Sequence, residues 1–133
     1  MLRYPTSSEV VLICWYLIDR YYVATRGERR ELLVPAMLEA ALNAPKATFD
    51  GRELFPKMAE KVSCLFRSLV KNHPFFDGNK RTAVVTSLAF LEMNGYSLAV
   101  EKGELYDLAL LVAESNDNEA IMAYLKKWFG RRV

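Results

Sequence analysis

At 133 residues, 52% of them hydrophobic and 26% charged, the chain has the size and composition of one folded domain, spanning residues 1–133, and lacks the low-hydrophobicity signature of disorder. Eighteen basic against sixteen acidic residues leave a net charge of +2, which does not mark a nucleic-acid surface in the absence of a basic stripe or reading motif. The apolar run Val10 to Ile18 has about half of the roughly 20 residues needed to cross a bilayer, and Pro5, Thr6 and Glu9 before it are unlike a basic signal-peptide start. A cytoplasmic protein with no membrane partner and no direct nucleic-acid partner is expected.

Thr6-Ser7-Ser8-Glu9 has the S/T-x-x-E form of a capping box, which predicts a first helix from here to about Val23. Its nearly continuous apolar residues predict burial on more than one side, by the domain or by a partner. A polar turn, Thr25 to Arg30, follows. Pro35 suits the first turn of a second helix reaching about Leu42, and Ala44-Pro45 closes it. Asp50-Gly51 between Phe49 and Leu54 has the chemistry of a tight loop or short hairpin.

Pro56 opens a third helix, with Met58, Val62, Leu65, Phe66 and Leu69 on one face and Lys57, Glu60, Lys61, Arg67 and Lys71 on the opposite, solvated one. A fourth, Thr82 to Leu91, carries no charge, with Val84, Leu88 and Leu91 on one side, and is expected at the centre of the bundle. Asn94-Gly95 ends it as a left-handed cap. A fifth helix spans about Gly103 to Glu114, with Leu105, Leu108 and Val112 inward. A sixth runs from about Asn118 to Phe129, with Ile121, Leu125 and Trp128 inward. The fold class is therefore all-α: a bundle of about six helices with a short flap before the central pair. Cys14 and Cys64 belong to no metal or redox pattern and read as buried free thiols.

The chemistry concentrates in HPFFDGNKR, His73 to Arg81. Gly78-Asn79 stands where the fourth helix begins, so unpaired amides and the positive end of the helix dipole would face an anion there. Lys80 and Arg81 add two cations, the Arg capable of gripping phosphate oxygens bidentately. Asp77 supplies one carboxylate, which beside phosphates is enough to hold Mg²⁺. His73 is the only histidine and the side chain best suited to take a proton from a hydroxyl near neutral pH. Together these parts suggest phosphoryl or nucleotidyl transfer. Each also has a structural reading: His73 before Pro74 as a helix cap, Asp77-Gly78-Asn79 as turn and N-cap chemistry, and Lys80-Arg81 as a solvated pair. Phe75 and Phe76 read as anchors that pin the loop to the core.

The segment resembles the signature of the Fic/Doc family, H-x-F-x-[D/E]-[G/A]-N-x-R, at His73, Phe75, Asp77, Gly78, Asn79 and Arg81. The longer stretch FDGRELFPKMAEKVSCLFRSLVKNHPFFDGNKRTA is similar to the flap, helix and active loop of death-on-curing (Doc) proteins. The resemblance implies ATP and Mg²⁺ as cofactors. His73 would deprotonate a target hydroxyl, Asp77 would bind Mg²⁺, and Gly78, Asn79, Lys80 and Arg81 would hold the nucleotide phosphates. Thr48, Phe49, Asp50, Gly51, Arg52 and Glu53 would form a flap that docks the target.

Lys80 stands where Fic adenylyltransferases have Gly, and Val84 where they have a second Arg; both departures weaken AMP transfer and agree with the Asn-Lys-Arg of Doc, which implies transfer of the γ-phosphate. The resemblance therefore implies a toxin of a type II toxin–antitoxin system, a protein kinase acting on Ser or Thr with elongation factor Tu as the first candidate target. A small antitoxin would neutralise it in trans, on an apolar surface that includes helix 1 with Tyr16, Tyr21 and Tyr22. Gly78 departs from Doc, which has Ala. The alternatives are a protein adenylyltransferase and a non-catalytic interaction module. A self-inhibitory motif is not expected, because Ser115-x-x-x-Glu119 is followed by Ala120.

Overall fold

The computed structural model describes residues 1–21 and 34–133. α1 (Ser7–Tyr21) starts at the expected capping box: the Thr6 N–H donates to Glu9 Oε1 at 2.9 Å and the Glu9 N–H to Thr6 Oγ1 at 3.2 Å. The expected turn at Thr25 to Arg30, and helix 1 as far as Val23, lie outside the described residues. α2 (Pro35–Asn43) opens on Pro35 and runs into a 3₁₀ turn, Ala44–Lys46.

β1 (Thr48–Phe49) and β2 (Arg52–Glu53) then form an antiparallel hairpin, with Thr48 opposite Glu53 and Phe49 opposite Arg52. Asp50 and Gly51 both have positive φ, 53° and 74°, the requirement of the two-residue type I′ turn that matches strand twist. The expected loop or hairpin is thus a hairpin. α3 (Met58–Asn72), α4 (Asn79–Met93), α5 (Glu104–Glu114) and α6 (Asn118–Gly130) complete the order. Six α-helices among the described residues with one minimal sheet make the fold all-α.

The centre of the bundle is α3, which packs against α2, α4, α5 and α6. This corrects two expectations. α3 has no fully solvated face, because Lys61, Ser63 and Ser68 are buried together with its apolar residues. α4 is not central, and its Val84, Val85 and Leu88 are only half-buried. Its buried residues are Asn79, Thr82, Ala83, Thr86, Ser87, Phe90 and Leu91, so of the expected apolar side only Leu91 is fully buried. The small side chains of its first half let that helix lie close to α1 and α3, and Phe90 and Leu91 enter the core at its end.

The inward residues expected of α5 and α6 are the ones observed. α4 ends on a Schellman arrangement: the Tyr96 N–H donates to the Leu91 carbonyl and the Gly95 N–H to that of Glu92, with Gly95 at φ 82°. Both cysteines are free and buried.

The α3–α6 contact is anchored by Phe66 and Phe129, both fully buried, with ring centroids 5.7 Å apart in an edge-to-face pair. Phe66→Ala is expected to cost about 3–5 kcal/mol, the range for truncating a buried aromatic. Urea unfolding followed by circular dichroism measures it as a lower midpoint at unchanged slope.

Candidate active site

The HPFFDGN loop links the C-terminus of α3 to the N-terminus of α4, and its conformation follows from a few contacts. His73 caps α3 in the left-handed region (φ 49°, ψ 54°), a conformation that costs a non-glycine residue on the order of 1–2 kcal/mol. Hydrogen bonds hold the chain on both sides of it. Asn72 Nδ2 donates to the Met37 carbonyl at 3.1 Å, and the Val34 N–H donates to the Pro74 carbonyl at 3.2 Å, so the start of α2 braces the histidine while its ring stays exposed.

Phe75 is fully buried beneath the loop. Phe76, expected to anchor beside it, is 47% exposed, because successive residues of an extended segment point to opposite sides and only one can enter the core.

Asn79 closes the loop. Its side chain is 4% exposed, its Oδ1 accepts from the Phe75 N–H at 3.1 Å, and its Nδ2 donates to the Phe75 carbonyl at 3.0 Å. The side-chain amide is thus occupied within the loop, which leaves the Asn79 backbone N–H as its group at the helix start. Gly78, at φ 80°, is the N-cap of α4, and no side chain caps that end. A Cβ at Gly78 would meet Cys14 Sγ and Ile18 Cγ1 at 3.7 Å, ordinary contact, so the backbone angle rather than space favours glycine here. Asp77 Oδ1 accepts from the Gly78 N–H at 2.7 Å, and Cys14 Sγ donates weakly to the Asp77 carbonyl at 3.7 Å.

Arg81 points into an aromatic cage. Its guanidinium carbon lies 4.1 Å from the ring centroid of Tyr21 on α1 and 4.6 Å from that of Tyr106 on α5. Ring contacts of this kind use the faces of the guanidinium and leave its in-plane N–H donors for other partners. Arg81 Nε is buried and finds no hydrogen-bond partner among the described residues. The cage forms one wall of a cleft of about 400 Å³ between α1, α4 and α5, continued by Val84, Leu88, Val100 and Lys102. His73 and Asp77 are not among the residues lining it.

The loop therefore carries His73, Asp77, Gly78 and the helix-start amides, while Arg81 reaches to the α1–α5 side. Thr48, Phe49, Asp50, Gly51, Arg52 and Glu53 are all exposed on the hairpin. Tyr106 and the role of Tyr21 beside Arg81 were missed by sequence reasoning. The available hint was that Tyr106 sits one position off the inward stripe of Leu105, Leu108 and Val112.

The residues present fit an anionic ligand with a divalent ion. The uncapped helix start, the unpaired Arg81 Nε and Lys80 supply donors and positive charge. Among the described residues no three His, Cys, Asp or Glu side chains converge on one point, so an ion at Asp77 would complete its shell with phosphate oxygens and water.

The sequence model of the Fic/DOC family matches residues 4–91, about two thirds of the chain, and the chain belongs to that family. It is similar to Toxin Doc of Mycolicibacterium smegmatis, with 42% identity over an alignment of 89 positions that covers 63% of this chain and 68% of that protein. No described helix is long and apolar enough to cross a membrane.

Asn79→Ala would strand the Phe75 N–H and carbonyl in a buried setting, at about 1–3 kcal/mol for each group. The expected result is a lower denaturation midpoint together with faster amide exchange across 73–79. The Cys14 thiol gives a second expectation: burial pushes it up from 9.0 to about 11, against a smaller opposing effect of the Thr82 hydroxyl. The folded state holds this proton more tightly than the unfolded one, so its contribution is complete below pH 9 and is lost as pH rises towards 11. Between pH 8 and 11 wild-type stability should fall more steeply than that of Cys14→Ala, as measured by denaturant midpoints at each pH.

Proposed function

We propose that the chain is a Doc-type toxin of a type II toxin–antitoxin system, and that it transfers a phosphoryl group from Mg²⁺-bound ATP to a Ser or Thr hydroxyl of a translation factor, with elongation factor Tu as the first candidate. The observation that carries this reading is the Asn79-locked loop, which presents an uncapped helix start beside His73 and Asp77. It is supported by the family membership and by the similarity to a protein named Toxin Doc.

Mg²⁺–ATP would supply the transferable group and a partly neutralised phosphate chain. The chain's own residues do the rest. The amides of Asn79, Lys80 and Arg81 form an anion-binding end, strengthened by the dipole of α4. Arg81, held between the rings of Tyr21 and Tyr106, is already positioned to offer guanidinium donors. Asp77 carries the carboxylate that would ligate the ion. Lys80, half-buried next to the amides, adds bulk and charge where AMP-transferring relatives have glycine; this favours an orientation that brings the terminal phosphate to the target.

His73 takes the proton from the target hydroxyl as its oxygen attacks. The hairpin of Thr48, Phe49, Asp50, Gly51, Arg52 and Glu53 docks the target segment, with Phe49, 75% exposed, as its apolar contact. A small antitoxin would restrain the toxin in trans.

Gly78 favours a second reading, protein adenylyltransfer, because glycine at this position is the Fic form of the signature. The intact mass of elongation factor Tu after incubation with the chain, Mg²⁺ and ATP separates the two. A gain of one phosphate is expected, falling about 10²–10⁴-fold in rate in His73→Ala, the usual contribution of a positioned general base. A gain of one AMP would replace the kinase by the adenylyltransferase, and no gain would remove both for this target.

A further inference from the structure

The hairpin that carries the flap has little of its own to fix its orientation. It has two residues per strand, all four of them exposed, and isolated two-stranded hairpins are marginal in water even when longer. Its turn and its closing hydrogen bond, from the Leu54 N–H to the Ala47 carbonyl at 2.9 Å, fix its shape but not its angle to the helices.

Among the described residues, one polar tie joins a strand to the body. Lys61, in the second turn of α3, is 2% exposed, and its Nζ lies 2.7 Å from Glu53 Oε1 on β2, a side chain that is 54% exposed. An exposed ion pair would contribute almost nothing, but here one partner is buried. A buried ammonium is costly unless paired, so the low-energy state of Lys61 favours Glu53 in place, and Glu53 can keep that contact only while β2 stays within reach of its side chain. A hydrophobic residue of similar length would fill the same space without that requirement. The charge therefore adds a fixed position for β2 rather than packing.

We propose that Lys61 is a positioning residue for the target: it latches the hairpin through Glu53, so that Phe49 and the strand edge are presented at a fixed distance from His73. This rests on the reading of the hairpin as the target-docking flap.

Lys61→Met in the full chain is the test, because Met matches the stem of the lysine and leaves no buried charge. Amide exchange across residues 48–54 is expected to accelerate by about tenfold or more, as for a segment released to local opening, while exchange in α3 and α6 is retained. With elongation factor Tu as the probe, the KM for the protein target should rise by about tenfold, the scale of loss that a loosened positioning element produces, while the KM for ATP stays within about twofold. Glu53→Gln should lower the denaturation midpoint by stranding the Lys61 charge. Adding Lys61→Met should restore that midpoint while the hairpin stays loose.

Unchanged hairpin exchange in Lys61→Met would overturn the latch. Faster exchange with unchanged KM for elongation factor Tu would overturn the positioning role. If the wild-type chain does not modify elongation factor Tu at all, the kinase reading fails by itself. The latch is then judged by hairpin exchange and by whether Lys61→Met loses growth arrest on induced expression.

Discussion

One side chain sets the geometry of the loop that the rest of the site depends on. Asn79 spans four residues to take both the N–H and the carbonyl of Phe75, and only a primary amide at this reach offers a donor and an acceptor together. Aspartate would supply acceptors alone and alanine neither. With Phe75 held from above by this pair and from below by its buried ring, the main chain on either side has little freedom. His73 lies two residues before Phe75 and Gly78 three after it, so the histidine and the helix start are fixed relative to each other by one contact. A buried, fully paired amide in a low-dielectric setting is also costly to break, which restrains the loop.

The loop in turn borrows its rigidity from α3 and α4. α3 is surrounded by four helices, and α4 lies close because its inward face is Thr82, Ala83, Thr86 and Ser87. Bulkier residues on that face would push α4 outward and lift Gly78 from Cys14 and Ile18. The small side chains thus give a close approach at the N-terminus of α4, where the uncapped amides stand, while Phe90 and Leu91 supply its hydrophobic burial further along. The same closeness brings α1 and α5 near enough for Tyr21 and Tyr106 to close on Arg81 from two sides.

What was legible in the sequence was what is local. The capping box of Thr6 and Glu9, the Asp50-Gly51 turn, the Asn94-Gly95 cap and the inward stripes of α5 and α6 depend on residues a few positions apart, and all are observed. The motif from His73 to Arg81 was legible for the same reason. What was not legible depends on partners far along the chain. Lys61 reads as solvated because its helix spacing is that of a polar face, and its pairing with Glu53 on a folded-back hairpin leaves no trace in that spacing. Phe76 reads as core by composition, but an extended loop has one inward side and Phe75 occupies it. Arg81 reads as a free cation because nothing near it in sequence announces tyrosines from α1 and α5.

The two halves of the proposed reaction meet on one rigid element. Lys61 and His73 are both carried by α3, twelve residues apart, and a helix of 1.5 Å rise per residue separates them by about 18 Å along its axis. Glu53, and β2 with it, is tied near the start of that helix, and His73 caps its end, so the hairpin and the loop are both referred to one rigid element. On the proposed reading, α3 is then the part that keeps the docking strand and the proton-accepting imidazole in a common frame, and a change that bends or shifts α3 would disturb both together.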